Sequence, residues 1–215
     1  MSTVSFQQYL SKAISYPAYR DLIDELLANN KTTGDGHPAA YVGYTRLNVQ
    51  RMERLDKTVA LTDDLVNVLK GLKRKYIWLV ITEGWCGDAA QNLPIINLIA
   101  KQSPNIELKL ILRDENLELM DRYLTLGGRS IPKLIVLDAE TLQELGNWGP
   151  RPAATLDMLK AYKANPNKTH DEFAKEVHTW YAKDKALSIQ HELLGMLQEW
   201  ERVGTPTNNK YTMPL

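Results

Sequence analysis

Trp85-Cys86-Gly87-Asp88-Ala89 lies between a continuous apolar run, Tyr76-Ile77-Trp78-Leu79-Val80-Ile81, and a helical pattern that extends to about Lys101. Such a run suits a strand buried on both faces of a sheet. Cys86, the only cysteine in 215 residues, therefore falls at the front of the helix that follows the strand. There the unsatisfied N–H groups and the positive end of the helix dipole favour thiolate over thiol. An ordinary cysteine with a pKa near ~8.5 is about 3% ionised at pH 7, whereas one lowered to roughly 6.5 is mostly ionised. The Trp-Cys-Gly turn predicts an exposed thiol rather than a buried structural one. Two carboxylates flank it. Asp88 can cap free N–H groups near the helix start, but its charge opposes thiolate formation, so no extreme pKa is expected. Glu83 could accept a proton from an incoming thiol, although a solvated surface carboxylate is its favoured reading.

Outward from this stretch, residues 5–29 carry apolar side chains at helical spacing, with Pro17 expected to break them into two helices. Turn formers crowd Lys31 to Pro38, and helical patterns then run from about Thr45 to Lys57 and from Thr62 to Arg74. Thr62-Asp63-Asp64 offers N-cap chemistry, and the basic run Lys70 to Lys75 reads as a solvated helix end. After the helix opened by Cys86, Ile106 to Leu112 supplies a second strand, followed by a helical pattern from Glu115 to Leu126. This βαβα order favours parallel pairing of the first two strands. Lys133 to Leu137 and Leu142 to Trp148 read as an antiparallel hairpin. Pro152 to Lys163 and Thr169 to Glu201 return to helical periodicity, and Val203 to Leu215 is expected to pack irregularly or fray.

Three sites along Tyr76 to Gly149 together resemble the thioredoxin superfamily: the strand followed by Trp85-Cys86-Gly87-Asp88, Pro94 eight residues later inside the helix, and Arg129-Ser130-Ile131-Pro132 before an apolar strand. The helical segments before and after resemble a group of bacterial thioredoxin-family proteins with helical flanks. The resemblance implies an α/β fold, a thioredoxin-like three-layer α/β/α arrangement around a mixed four-stranded sheet. Its core would span 76–164, with a helical extension over 1–75 and a second extension and tail over 165–215. It also implies that Cys86 is the catalytic thiol, that Ile131-Pro132 is cis and lies beside it, and that Trp85, Gly87, Asp88, Ile131 and Pro132 form a binding surface. The Ile131 backbone would then pair with an extended substrate segment. Two positions depart from the pattern. Ala89 stands where the resolving cysteine would be, and Val80 stands where many thioredoxins keep a buried acid. The intramolecular step that frees a mixed disulfide is therefore missing.

Composition narrows the remaining classes. Lys plus Arg and Asp plus Glu are 26 each, so nothing in the charge balance favours nucleic acid or an anionic membrane. No apolar stretch suits a signal peptide or a membrane span, and a lone cysteine agrees with a reducing compartment, which makes the cytoplasm the expected location. His37, His170, His178 and His191 are scattered, and His170 with His178 lacks the spacing of a helical metal pair, so no metal or cofactor is expected. Gly127-Gly128 reads as a loop and not as a phosphate cradle. The leading expectation is a monothiol redox protein whose Cys86 forms mixed disulfides with protein or low-molecular-weight thiols, resolved by an external thiol. The alternative is a thioredoxin-fold binding or scaffold module that has lost turnover. A thiol peroxidase or glutathione-transferase-like enzyme fits the Trp-Cys-Gly-Asp pattern least well.

Overall fold

The computed structural model describes residues 5–165 and 167–203. The apolar run becomes β1 (Tyr76–Thr82), buried at every position except Ile77. It is central in a four-stranded sheet of order β2-β1-β3-β4. β2 (Ile106–Leu112) pairs with β1 in parallel, while β3 (Lys133–Asp138) pairs with β1, and β4 (Glu144–Trp148) with β3, antiparallel. Val80 thus lies between Leu110 and Leu134. The parallel pair requires a crossover, and α5 (Gly87–Lys101), with Pro94 inside it, provides one. The outer edge of β2 is covered by an isolated bridge, in which Ile14 and Leu110 exchange two N–H···O bonds of 2.8 Å. This blunts an edge that would otherwise offer unpaired backbone groups.

The flanking helices share the core of the sheet. Tyr19 and Ile23 of α2 (Tyr16–Ala28), Met52 of α3 (Ala40–Thr58), Leu65 and Leu69 of α4 (Asp63–Gly71) and Leu193 and Leu197 of α9 (Leu187–Val203) join Trp78, Leu79 and Ile95 in one buried cluster. α3 packs on α5, and α4 packs on α9. α7 (Ala153–Ala164) and α8 (His170–Asp184) hold a smaller cluster of Phe173, Val177 and Tyr181, in which Phe173 stacks on Tyr162 at 4.5 Å.

Several expected boundaries move, each for a local reason. Pro17 opens α2 rather than breaking a helix: Ser15 is the N-cap and accepts from Ala18 N at 3.3 Å, leaving proline where its missing N–H costs nothing. A short α1 (Gln7–Leu10) precedes it. α3 begins at Ala40, five residues before the expected start. Thr62 is the N-cap residue of α4 but makes no side-chain cap bond. The helix expected over 115–126 shrinks to α6 (Leu117–Met120), because Leu126 and Gly127 adopt left-handed φ of 51° and 75° in a turn bridged between Thr125 and Gly128. The apolar periodicity from Thr169 to Glu201 hides a break at Lys185 and Ala186, both left-handed. Asp184 holds the next helix start there by accepting from Ser188 N at 3.1 Å. The basic run is only partly a solvated end: Lys73 N and Arg74 N donate to Glu201, and Arg74 Nη1 pairs with Asp138 at 2.8 Å. The expectation for Val203 to Leu215 concerns a tail that, beyond the end of α9, lies outside the described residues.

Candidate functional site

Cys86 is the N-cap of α5, with an extended backbone, φ −79° and ψ 116°. Its sulfur accepts from Ala89 N at 3.4 Å, and its S–H donates to the Ile131 carbonyl at 3.2 Å. Ile131-Pro132 is cis and runs directly alongside the thiol. The expected neighbours are therefore together, but their state differs from expectation. Cys86 is only 9% exposed, not open to solvent. Burial, followed by the negative charge of Asp88, pushes its pKa up to about 12 against the opposing pull of the Ala89 and Asp88 N–H groups and of Arg151. Desolvation overrides the helix terminus here because a thiolate in this setting loses water that two N–H groups do not replace. The Ile131 carbonyl, expected to face an incoming chain, already accepts the thiol proton.

Asp88 does not cap α5. Its carboxylate pairs with Arg151 and accepts from the Tyr181 hydroxyl at 3.0 Å. Asn92 Nδ2 donates both to Tyr181 Oη at 3.0 Å and to the Asp88 carbonyl at 2.8 Å, which ties α8 to the first turns of α5. Burial raises the Asp88 pKa while Arg151 and Tyr181 pull it down. Arg151 reaches the site because Gly149, at φ 108°, brings the chain so close to β3 that a Cβ there would stand 2.3 Å from the Pro132 carbonyl oxygen. That carbonyl belongs to the loop beside Cys86, so one glycine sets both.

Trp85 is clamped on the other side. The Arg113 guanidinium stands 4.7 Å over its ring, and Tyr41 and His37 pack at 5.0 and 5.2 Å. His37 Nε2 in turn meets Asp114 Oδ2 at 2.7 Å. Glu83, expected at a solvated surface, is fully buried: Oε1 accepts from Asp114 N at 2.9 Å, and burial raises its pKa against the opposing pull of the Thr33 hydroxyl and the Asp114 N–H. It follows β1 directly and turns inward beneath the loop. Val80 is fully buried between neighbouring strands, so its position holds no proton acceptor.

A cleft of about 550 Å³ opens above Trp85 to Asp88, between α3 and α8. Gly87 is its floor, and a Cβ there would meet His178 Nε2 at 3.0 Å and Arg51 Nη1 at 3.4 Å. Gln91 Nε2 donates to His178 Nδ1 at 3.2 Å, which leaves the ring proton of the neutral imidazole on Nε2. Burial, then the charges of Arg51 and Arg151, lowers the His178 pKa to about 4. Arg51, Arg151, His178 and Tyr181 are site residues that sequence reasoning missed. They come from elements distant in the chain, and only the i, i+3 spacing of His178 and Tyr181 on one helix face hinted at a shared direction. Among the described residues no three His, Cys, Asp or Glu side chains cluster as metal ligands, and no helix is long and apolar enough to cross a membrane.

A mixed sheet with this strand order, a thiol at the N-cap of its crossover helix and a proline loop against the sulfur define a thioredoxin-like α/β domain. The chain belongs to the thioredoxin family, whose model matches residues 34–163, more than half of its length. Among solved structures it is similar to a protein of unknown function from Pseudomonas aeruginosa, 22% identical with a TM-score of 0.61, covering 92% of this chain and 99% of that one. It is also similar to an HIV epitope-scaffold, 22% identical with a TM-score of 0.52, covering 86% of this chain and 99% of the other. At that identity both likenesses speak to the fold. No curated protein matches the chain.

Proposed function

We propose that this chain is a thioredoxin-fold binding protein whose ligand enters the cleft above Cys86, and that the thiol does not turn over in the resting state. One observation carries this reading: Cys86 is buried, donates its proton to the Ile131 carbonyl and has a pKa pushed up to about 12. At pH 7 that leaves on the order of one thiolate in 10⁵ molecules, against about 3% for an ordinary cysteine. Ala89 and Val80 support the same reading, since neither can resolve a mixed disulfide or accept a proton. The lone thiol suits a reducing compartment, and we place the protein in the cytoplasm as part of the same proposal.

The second reading is monothiol exchange with protein or low-molecular-weight thiols. It is favoured by the Ala89 N–H, which already points at the sulfur, and by the place of Cys86 in the cleft wall. The two readings separate in one experiment. Alkylation of Cys86 by iodoacetamide is followed by intact mass between pH 7 and 10, alongside incubation with oxidised glutathione. The binding reading expects slow alkylation still rising at the top of this range and no glutathione adduct at neutral pH. An alkylation midpoint below about pH 8.5, or a glutathione adduct formed within minutes, would establish exchange instead.

A further inference from the structure

The cleft has more cations than acids to match them. Arg51 spends Nη1 on Asn48 Oδ1 at 2.9 Å and meets no carboxylate at ion-pair distance among the described residues. It is partly buried, and burial together with the like charge of Arg54 lowers its pKa against the opposing pull of Asp88. Lys175 also lines the cleft and has no ion-pair partner among the described residues. Of the two acids on the walls, Asp88 is committed to Arg151 and Tyr181, and Asp171 is exposed beside His170. The Asp88 carboxylate acts on Arg51 only from beyond ion-pair distance while it holds Arg151, so the half-buried Arg51 guanidinium has charge left for an anion in the cleft.

The donors also converge. The absence of a side chain at Gly87 leaves His178 Nε2 and Arg51 Nη1 side by side over bare backbone, 3.0 and 3.4 Å from where a Cβ would stand, and the amide of Gln91, which can only donate to His178 Nδ1, leaves the ring proton on Nε2. Two N–H donors side by side match the two oxygens of a carboxylate. Beyond them the wall turns apolar: Tyr44 and Leu47 are 50% and 44% exposed, and Phe173 and Val177 line the opposite side. The volume, about 550 Å³, lies in the ~300–1,000 Å³ range of small-molecule sites. The apolar wall suits a ligand with an apolar body beyond its anionic group, which inorganic phosphate lacks.

We infer that the cleft above Cys86 binds a small-molecule carboxylate with an apolar body, its oxygens held by Arg51 and His178 and its body lying on Tyr44, Leu47 and Phe173. This deepens the binding reading and depends on it for the site, but it needs nothing from the sulfur. Gly87 is part of the recognition because a methyl group there would press on His178 Nε2 and Arg51 Nη1, at 3.0 and 3.4 Å, and stand between them and a ligand above the backbone.

Calorimetric titration with phenylpropionate, phenylpropionamide and inorganic phosphate provides the test, on the wild-type chain and on Arg51→Met, His178→Phe and Gly87→Ala. The wild type should prefer phenylpropionate to the amide and to phosphate by about tenfold or more. Arg51→Met should lose about tenfold in affinity for the carboxylate and none for the amide, a contrast that a misfolded variant would not give. His178→Phe and Gly87→Ala should weaken carboxylate binding in the same selective way. Absence of phenylpropionate binding by the wild type at millimolar concentration, equal binding of acid and amide, or tighter binding of phosphate would overturn the inference. So would at least tenfold tighter binding of an acetylated Gly-Gly-Phe peptide, which would make the site one for a chain terminus. Failure of the parent reading looks different, because it is a fast-reacting Cys86 whatever the titrations give.

Discussion

Asp88→Asn separates the two influences that set the state of the thiol. The Asp88 and Arg151 side chains are only 13% and 14% exposed, so the pair is held away from water. Removing the charge leaves a buried guanidinium without its counter-ion, which costs about 3–5 kcal/mol in such settings. The Asn side chain still offers Tyr181 an acceptor, so we expect about 3 kcal/mol. For the sulfur, Asp88 is the second cause of the raised pKa after burial. A nearby like charge moves a titrating group by roughly 1–3 pH units, and the released Arg151 pulls the same way. The pKa of Cys86 should then fall from about 12 to roughly 10. At pH 8 the thiolate fraction rises from ~10⁻⁴ to ~10⁻², so iodoacetamide should react about a hundredfold faster. Urea unfolding measures the stability loss, and intact mass measures alkylation. Because a less stable chain also reacts through its unfolded state, the rates are compared at several low urea concentrations. Only a rate independent of urea belongs to the native thiol. Loss of the expected stability with no change in that native rate would refute the claim that the Asp88 charge is felt at the sulfur.

Three further outcomes follow from the same geometry. His178 has a folded pKa of about 4 against an ordinary 6.5, so between those pH values the unfolded chain takes up a proton that the folded chain refuses, and stability falls as pH falls. Allowing for the partial exposure of the ring, the loss is about 1–2 kcal/mol, and urea midpoints at pH 7 and pH 4 should differ less for His178→Phe than for the wild type. Gly149→Ala places a methyl group 2.3 Å from the Pro132 carbonyl oxygen at a φ of 108°, and should cost at least about 3 kcal/mol in urea unfolding; a loss below about 1 kcal/mol would contradict that close approach. Ala89→Cys puts a second sulfur one helical turn after Cys86, whose Sγ already accepts from Ala89 N at 3.4 Å, and mild oxidation should remove two hydrogens from the intact mass.

The fold was legible because its signals are local. A six-residue apolar run, a proline eight residues after the cysteine and a proline before the next strand each report on backbone position, and the parallel first pair and the antiparallel hairpin follow from element order and gap length. Helix ends were less legible where periodicity and backbone disagree, as at Lys185 and Ala186, since apolar spacing continues across a break made by two left-handed residues. The neighbours of Cys86 were legible in the sequence, and the burial of its thiol was not. Cys86, Ile131 and Pro132 do come together, yet whether a thiol at a helix start is ionised depends on how much water reaches it. Water access is decided here by α3, α8 and the Gly149 turn, none of which lies near Cys86 in sequence. Glu83 failed for the same reason. A carboxylate three residues before a loop cysteine gives no sign that it turns inward beneath β1 and the Asp114 backbone.

The hydrogen bonds that oppose redox chemistry are the ones that build the cleft. Dithiol exchange requires a sulfur that readily loses its proton, a second thiol one turn away and a proton acceptor between them. At the corresponding places this chain has a carboxylate tied to α8, an alanine and a valine. The Asp88 carboxylate cannot turn toward the helix N–H groups while it holds Tyr181 and Arg151, so it acts on the sulfur only as repulsion. Those same bonds fix α8 against α5, which sets His178 over Gly87 opposite Arg51. Releasing Asp88 to make the thiol reactive would therefore also release the wall that carries His178. With Asp88 held in the buried ion pair, the sulfur stays repelled and the wall that carries His178 stays in place.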